Sequence, residues 1–201
     1  MADYISFDTI PSSIRVPGRY IEFNTRNAVQ GLPQNPQSVL LLAPMLDSGW
    51  QAPLEPVQLY SDDEAGDMFG RGSWAQLMVK QAFTNNPYLD LTVIGLPDHS
   101  AGVAATGSIT LSGTVQTASS VDVSAGGTTV SVAAAAGQSA ADIAAKLQTA
   151  VNDADLPVSA TANGTTLTLT AKSKGEIGNE IRLAADKVLA GLFAQIGRLY
   201  G

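Results

Sequence analysis

The first 37 residues alternate apolar and polar positions with the period of two that strands require. Ile5 and Phe7, Ile14 and Val16, and Ile21 and Phe23 each place two apolar groups on one face. Pro11, Pro17-Gly18 and Gly31-Leu32-Pro33 stand between these pairs. Proline cannot donate to a central ladder, so each pair reads as a short edge segment of an extended arm over residues 1–37. An arm so interrupted forms no sheet of its own, and its economical partner is the open sheet edge of another subunit.

From Ser38 the pattern changes. Ser38-Val39-Leu40-Leu41-Leu42-Ala43 is a continuous apolar run, the expectation for a core strand covered on both faces. Val57-Gln58-Leu59-Tyr60 reads as a short second strand. Ser61-Asp62-Asp63-Glu64 has the Ser-x-x-Glu form of a capping box and predicts a brief helix through Met68 and Phe69, closed by Gly70. Ser73 and Gln76 repeat the device. The helix they open carries Trp74, Leu77, Met78 and Ala82 as its buried face and stops near Asn86-Pro87. Leu89 to Gly95 is another apolar strand, so residues 38–98 read as the first part of an α/β core domain.

At about residue 99 the composition turns to Ala, Gly, Ser, Thr and Val, and no Phe, Trp or Tyr occurs from His99 through Leu192. Short alternating segments surround Ile109 and Leu111, Val121 and Val123, Val130 and Val132, Val158, and Leu167 and Leu169. Gly113, Gly126-Gly127 and Asn163-Gly164 punctuate them, the last as a tight hairpin. One helix, opened by Ser139 and Asp142, places Ile143, Leu147 and Val151 on one face. Residues 99–182 are thus an inserted, small β-rich domain with one helix. In residues 183–201, Val188, Leu189, Leu192, Phe193, Ile196, Leu199 and Tyr200 share one helical face and predict a C-terminal helical segment. The fold class is α+β: an extended arm, a partial α/β core and the inserted domain.

With 45% hydrophobic and 14% charged residues among 201, the chain can pack a core. It contains no cysteine, which excludes disulfides, thiolate metal sites and a thiol nucleophile. The net charge is -7, with 11 acids against 5 bases in the first hundred residues, and this argues against a nucleic-acid partner, which needs clustered Lys and Arg. The start lacks the pattern of a signal peptide, and no apolar run approaches the roughly 18 to 20 residues needed to cross a bilayer, so no membrane insertion is expected and the chain reads as made and kept in the cytosol, at least before any assembly.

Candidate chemistry is sparse. His99, the single histidine, has no second ligand nearby in sequence and reads as an exposed hinge residue. Gly70-Arg71-Gly72-Ser73 precedes a helix and offers NH groups to an anion, but it lacks the Lys-Ser/Thr of a phosphate loop and reads as a tight turn. Asp62, Asp63, Glu64 and Asp67 lack the spacing of a calcium loop and suit a helix N-terminus. Trp50 and Trp74 read as core fillers. Arg15 and Arg19, in the arm, are placed to pair with a neighbour's acids. The expectation is a protein that is not an enzyme, without catalytic residues, cofactor or metal. Small Thr- and Ser-rich domains bind sugars or proteins on exposed faces, though this one lacks aromatic platforms.

Three stretches together resemble the contractile tail sheath proteins of Mu-like bacteriophages, in their N-terminal portion. The first is Ile10-Pro11-Ser12-Ser13-Ile14-Arg15-Val16-Pro17-Gly18 running into Tyr20-Ile21-Glu22-Phe23. The second is Val39 to Leu42, the helix start Phe69-Gly70-Arg71-Gly72-Ser73, and Asn86-Pro87 before a strand ending Gly95-Leu96-Pro97-Asp98. The third opens with Ala105-Thr106-Gly107-Ser108-Ile109-Thr110 and closes with Leu167 to Lys172 and Gly175 to Arg182.

The resemblance implies a structural subunit of a virion tail, polymerised with other copies of itself around a tail tube protein and bounded by baseplate and tail terminator proteins. It implies that arms donated as strands keep the lattice connected while the sheath contracts to drive the tube into the host envelope. The interface residues implied are Ile5, Phe7, Ile14, Arg15, Val16, Arg19, Tyr20, Ile21 and Phe23. A sheath protein would continue through the rest of its α/β core, so a truncated or decayed sheath fragment, or a monomeric β-rich binding module without assembly activity, stands as the alternative.

Overall fold

In a computed structural model of the chain, described for residues 10, 13–21, 38–185, 188–189, 191–197 and 199–200, the chain divides into two units, Met1–Pro36 and Gln37–Gly201. The second unit is a mixed α+β structure with two buried cores, one under an α/β layer and one inside a β-rich module.

The α/β layer is built on β1 (Ser38–Pro44), β2 (Pro56–Leu59) and β3 (Asp90–Leu96), with α1 (Asp62–Phe69) and α2 (Trp74–Asn85) between them. The strand order is β1-β3-β2, with β1 parallel and β2 antiparallel to β3. Both helices begin where their caps predict. Ser61 Oγ accepts from Glu64 N at 3.1 Å, and Ser73 Oγ accepts from Gln76 N at 3.1 Å. Phe69, fully buried at the end of α1, lies against Gly95 of β3, where an added Cβ would approach its ring to 2.8 Å. Burying that ring contributes roughly 1.5–3 kcal/mol.

Two expectations change in this layer. β1 is not covered on both faces. Register partners share a face, so Leu41 and Ala43 point with Val93 and Gly95 toward the helices, while Leu40 and Leu42 line up with Thr92 and Ile94 on the opposite side. Leu40 and Leu42 are 58% and 56% exposed, because both helices pack on the inner face. The α2 face is also rotated: Ala75, Gln76 and Val79 are buried, Met78 is exposed, and Trp74 packs against the other core.

The β-rich module contains β4 (Ala104–Gly113), β5 (Ser119–Ala125), β6 (Thr128–Ala134), α3 (Ala140–Asp153), β7 (Val158–Asn163) and β8 (Thr166–Lys174), then a 3-10 turn at Glu176–Glu180. Gly126 and Gly127, both at positive φ (62° and 87°), form the two-residue loop between β5 and β6, as a type I′ turn requires. α3 opens with a full capping box, Ser139 and Asp142 each bonding the other's backbone. Its face of Ile143, Leu147 and Val151 is fully buried against the sheet residues Leu167 and Leu169.

Among its described residues the C-terminal segment contains strands rather than the expected helix. It forms β9 (Leu183–Ala185), β10 (Val188–Leu189) and β11 (Leu192–Ile196). β9 pairs with β5, and β11 adds to the edge of β4, giving sheets ordered β6-β5-β9 and β10-β11-β4-β8-β7. The run fits both periods, and the edge of β4 settles the matter: Leu192 is buried while Phe193 and Gln195 face out, a period of two.

Candidate assembly surface

Of the nine arm residues expected at an interface, Ile5, Phe7 and Phe23 lie outside the described residues. Ile14, Arg15, Val16, Arg19, Tyr20 and Ile21 are all exposed, and no strand occurs among residues 13–21. Val16 and Ile21 are 68% and 74% exposed, a large apolar fraction for so short a segment. The phenol of Tyr20 donates to the Val16 carbonyl at 2.7 Å, bending the segment around Pro17-Gly18.

In the second unit the matching feature is β1. Among the described residues it is an edge strand, so one row of its backbone NH and CO groups is unpaired. Beside that edge lies an apolar strip, Leu40 and Leu42 on β1 with Ile94 and Leu96 on β3. The strip ends in a polar knot: Asp90 accepts from Ser38 Oγ and from Gln58 Nε2, both at 2.6 Å. An open edge flanked by uncovered leucines offers a strand-shaped ligand both ladder bonds and apolar contact.

The residues considered for chemistry have other employment. Ser73 N donates to Gly70 O and Gly72 N to Gln76 Oε1, so these two NH groups of the turn before α2 are already bonded within the chain. Glu64 Oε2 accepts from Tyr60 N, and Arg71 lies 3.1 Å from Asp67 and 3.9 Å from Asp63, so three of the four acids of the cluster have partners within the chain. His99 is exposed and its Nδ1 accepts from Ala101 N at 3.2 Å, a turn contact. Trp50 is 69% exposed rather than buried. A cleft of about 540 Å³ between the α/β layer and the module is lined by bases Arg71, Lys172 and Lys174 and by acids Asp47, Asp67 and Asp98. Burial lowers the pKa of Lys172, and the nearby Asp155 carboxylate opposes that shift.

The outer face of the module's larger sheet carries hydroxyls in register, Ser108 with Thr168 and Thr161, and Thr106 with Thr170 and Ser159. Phe193, opposite Ser112, and Tyr200, bridged to Thr106, stand on the same face at 56% and 70% exposure. Sequence reading missed these aromatics as part of the domain because they arrive from the segment assigned to a separate helix.

No family model matches this chain. It is 41% identical over 180 residues, 89% of its length, to the Mu-like prophage FluMu tail sheath protein of Haemophilus influenzae. It spans 37% of that relative's length. A solved chain from Mycobacterium phage Patience aligns with 48% of this chain and 38% of its own length, at 15% identity and a TM-score of 0.27, a likeness that carries no argument.

Proposed function

We propose, from its similarity over 89% of its length to a Mu-like phage tail sheath protein, that this chain is a non-enzymatic structural component of a phage tail sheath. Copies polymerise around the tail tube, with baseplate and terminator proteins at the ends, first in the host cytoplasm and then as part of the virion. The sheath's contraction drives the tube into the host envelope, and the donated arms hold the subunits together through that change.

What supports assembly through the arm is the edge of β1, open among the described residues, with Leu40 and Leu42 beside it. An arm on one surface and a receptive edge on another make a heterologous contact, and heterologous contacts that do not close build helical arrays. The exposed Ile14 and Val16, two residues apart, supply the alternate side chains that such an added strand needs.

Light scattering and negative-stain microscopy of the chain, with and without residues 1–24, test the reading. Rings or tubes that disappear on deletion of the arm are expected. A small monodisperse species of the same size in both cases refutes self-assembly through the arm. A second reading, a β-rich binding module, draws on Phe193 and Tyr200 beside the hydroxyl face. It predicts a monomer that is retained on a neutral polysaccharide and released by Phe193→Ala.

A further inference from the structure

Gln76 is the one buried polar side chain long enough to join two parts of the fold; Ser73 and Ser173 are the other buried polar residues among those described. Its Oε1 accepts from Gly72 N at 2.6 Å, and its Nε2 donates to Asp155 Oδ2 at 3.0 Å. Asp155 stands in the loop between α3 and β7, 79 residues further along the chain. Arg71 reaches the same carboxylate oxygen at 3.5 Å. Two further bonds run across the same boundary: Lys172 Nζ to Arg71 O at 3.0 Å, and Lys174 N to Asp98 Oδ2 at 2.7 Å.

The backbone is shaped to let these groups meet. A Cβ on Gly66 would lie 2.7 Å from Gln76 Nε2, and one on Gly72 would run into the Leu156 carbonyl. Gly72 also sits at φ 79°, a conformation that side-chain-bearing residues rarely adopt. Beside the polar contacts, α2 turns Trp74 toward the module core and Val79 toward the α/β core, so one helix belongs to both.

We infer that this junction is an orientation lock, in which Gln76 and Asp155 act as positioning residues that hold the β-rich module on the α/β layer in a single arrangement. A composition break at residue 99 suggests a hinge between domains, but bonds from three residues in two places on the module hold the boundary: Asp155 in the loop after α3, and Lys172 and Lys174 on β8. The lock rests on the sheath reading only for its consequence, which is that load applied to the module reaches the β1 edge without being absorbed at residues 97–103.

The test uses the separate chain, so failure of the sheath reading leaves it untouched. Because the chain has no cysteine, Gln81→Cys on α2 and Ser159→Cys on β7, both exposed, take spin labels selectively. Double electron–electron resonance is expected to give one narrow distance distribution in the parent and a broad one with Asp155→Ala. Asp155→Asn, which keeps an acceptor for Gln76, should restore most of the narrowness.

Hydrogen exchange of the Gly72 amide should accelerate by about tenfold or more in Gln76→Ala, the scale of losing a buried hydrogen bond. If Asp155→Ala loses its far-UV signature, Lys172→Met is labelled in its place and should broaden the distribution. A broad distribution in the parent, or a narrow one in the Ala or Met variant, overturns the lock.

Discussion

Replacing Leu40 and Leu42 together by lysine probes the β1 surface without touching the core. Both side chains lie on the outer face of β1, in register with Thr92 and Ile94, and are 58% and 56% exposed. Fully burying a leucine contributes about 1.5–3 kcal/mol, so covering the exposed part of each supplies roughly 1–1.5 kcal/mol and the pair roughly 2–3 kcal/mol. That corresponds to association weaker by about 30- to 150-fold, before the cost of desolvating two ammonium groups. Sedimentation velocity across a concentration series measures the shift, and thermal melting by circular dichroism controls for folding. Melting should hold, because Leu41 and Ala43 on the inner face are unchanged. A shift of less than about threefold in the association midpoint, with unchanged melting, would refute the argument that this face is covered on assembly.

Leu147→Ala empties a fully buried position on α3 and should lower the stability of the second unit by about 2–5 kcal/mol in a urea titration. Asp142 has its pKa lowered by the hydrogen bonds from the Ser139 hydroxyl and backbone. A carboxyl depressed in the folded state stabilises above its unfolded pKa of about 3.9 and loses that contribution as pH falls through the folded value. The stability gap between the parent and Asp142→Asn should therefore be full at neutral pH and close below about pH 4; a gap that stays constant into acid contradicts the capping-box account. Leu192→Ser, at a residue only 2% exposed on β11, should lower the melting temperature, whereas Gln195→Ser on the outward face should leave it unchanged.

Where structure depends on neighbours along the chain, it was legible. Ser61, Ser73 and Ser139 cap helices that start one residue later, because a cap is completed within four residues. The glycine pair at 126 and 127 marks its hairpin for the same reason. The hydrophobic pattern of β4, β7 and β8 predicts strands whose inward residues are those that are buried. The residues proposed for assembly were legible only as a pattern of unplaced apolar groups. The described arm residues 13–21 are exposed and contain no strand.

The remaining features required contacts between residues far apart in sequence. Continuous hydrophobicity says that Leu40 and Leu42 are apolar, but which faces of β1 are covered depends on where α1 and α2 pack, and they pack on one side. The segment from Leu183 to Ile196 carries apolar groups compatible with two periods, and the unfilled edges of β4 and β5 chose the strand. Gln76 appears in sequence as a helix-cap partner; only the fold brings Asp155 to it. The chain by itself therefore determined its capped helices and its turn-bounded strands, since these follow from short-range sterics and hydrogen bonding. The tertiary structure decided which surface stays open and which parts are tied together, because burial is set by whatever else the chain places alongside.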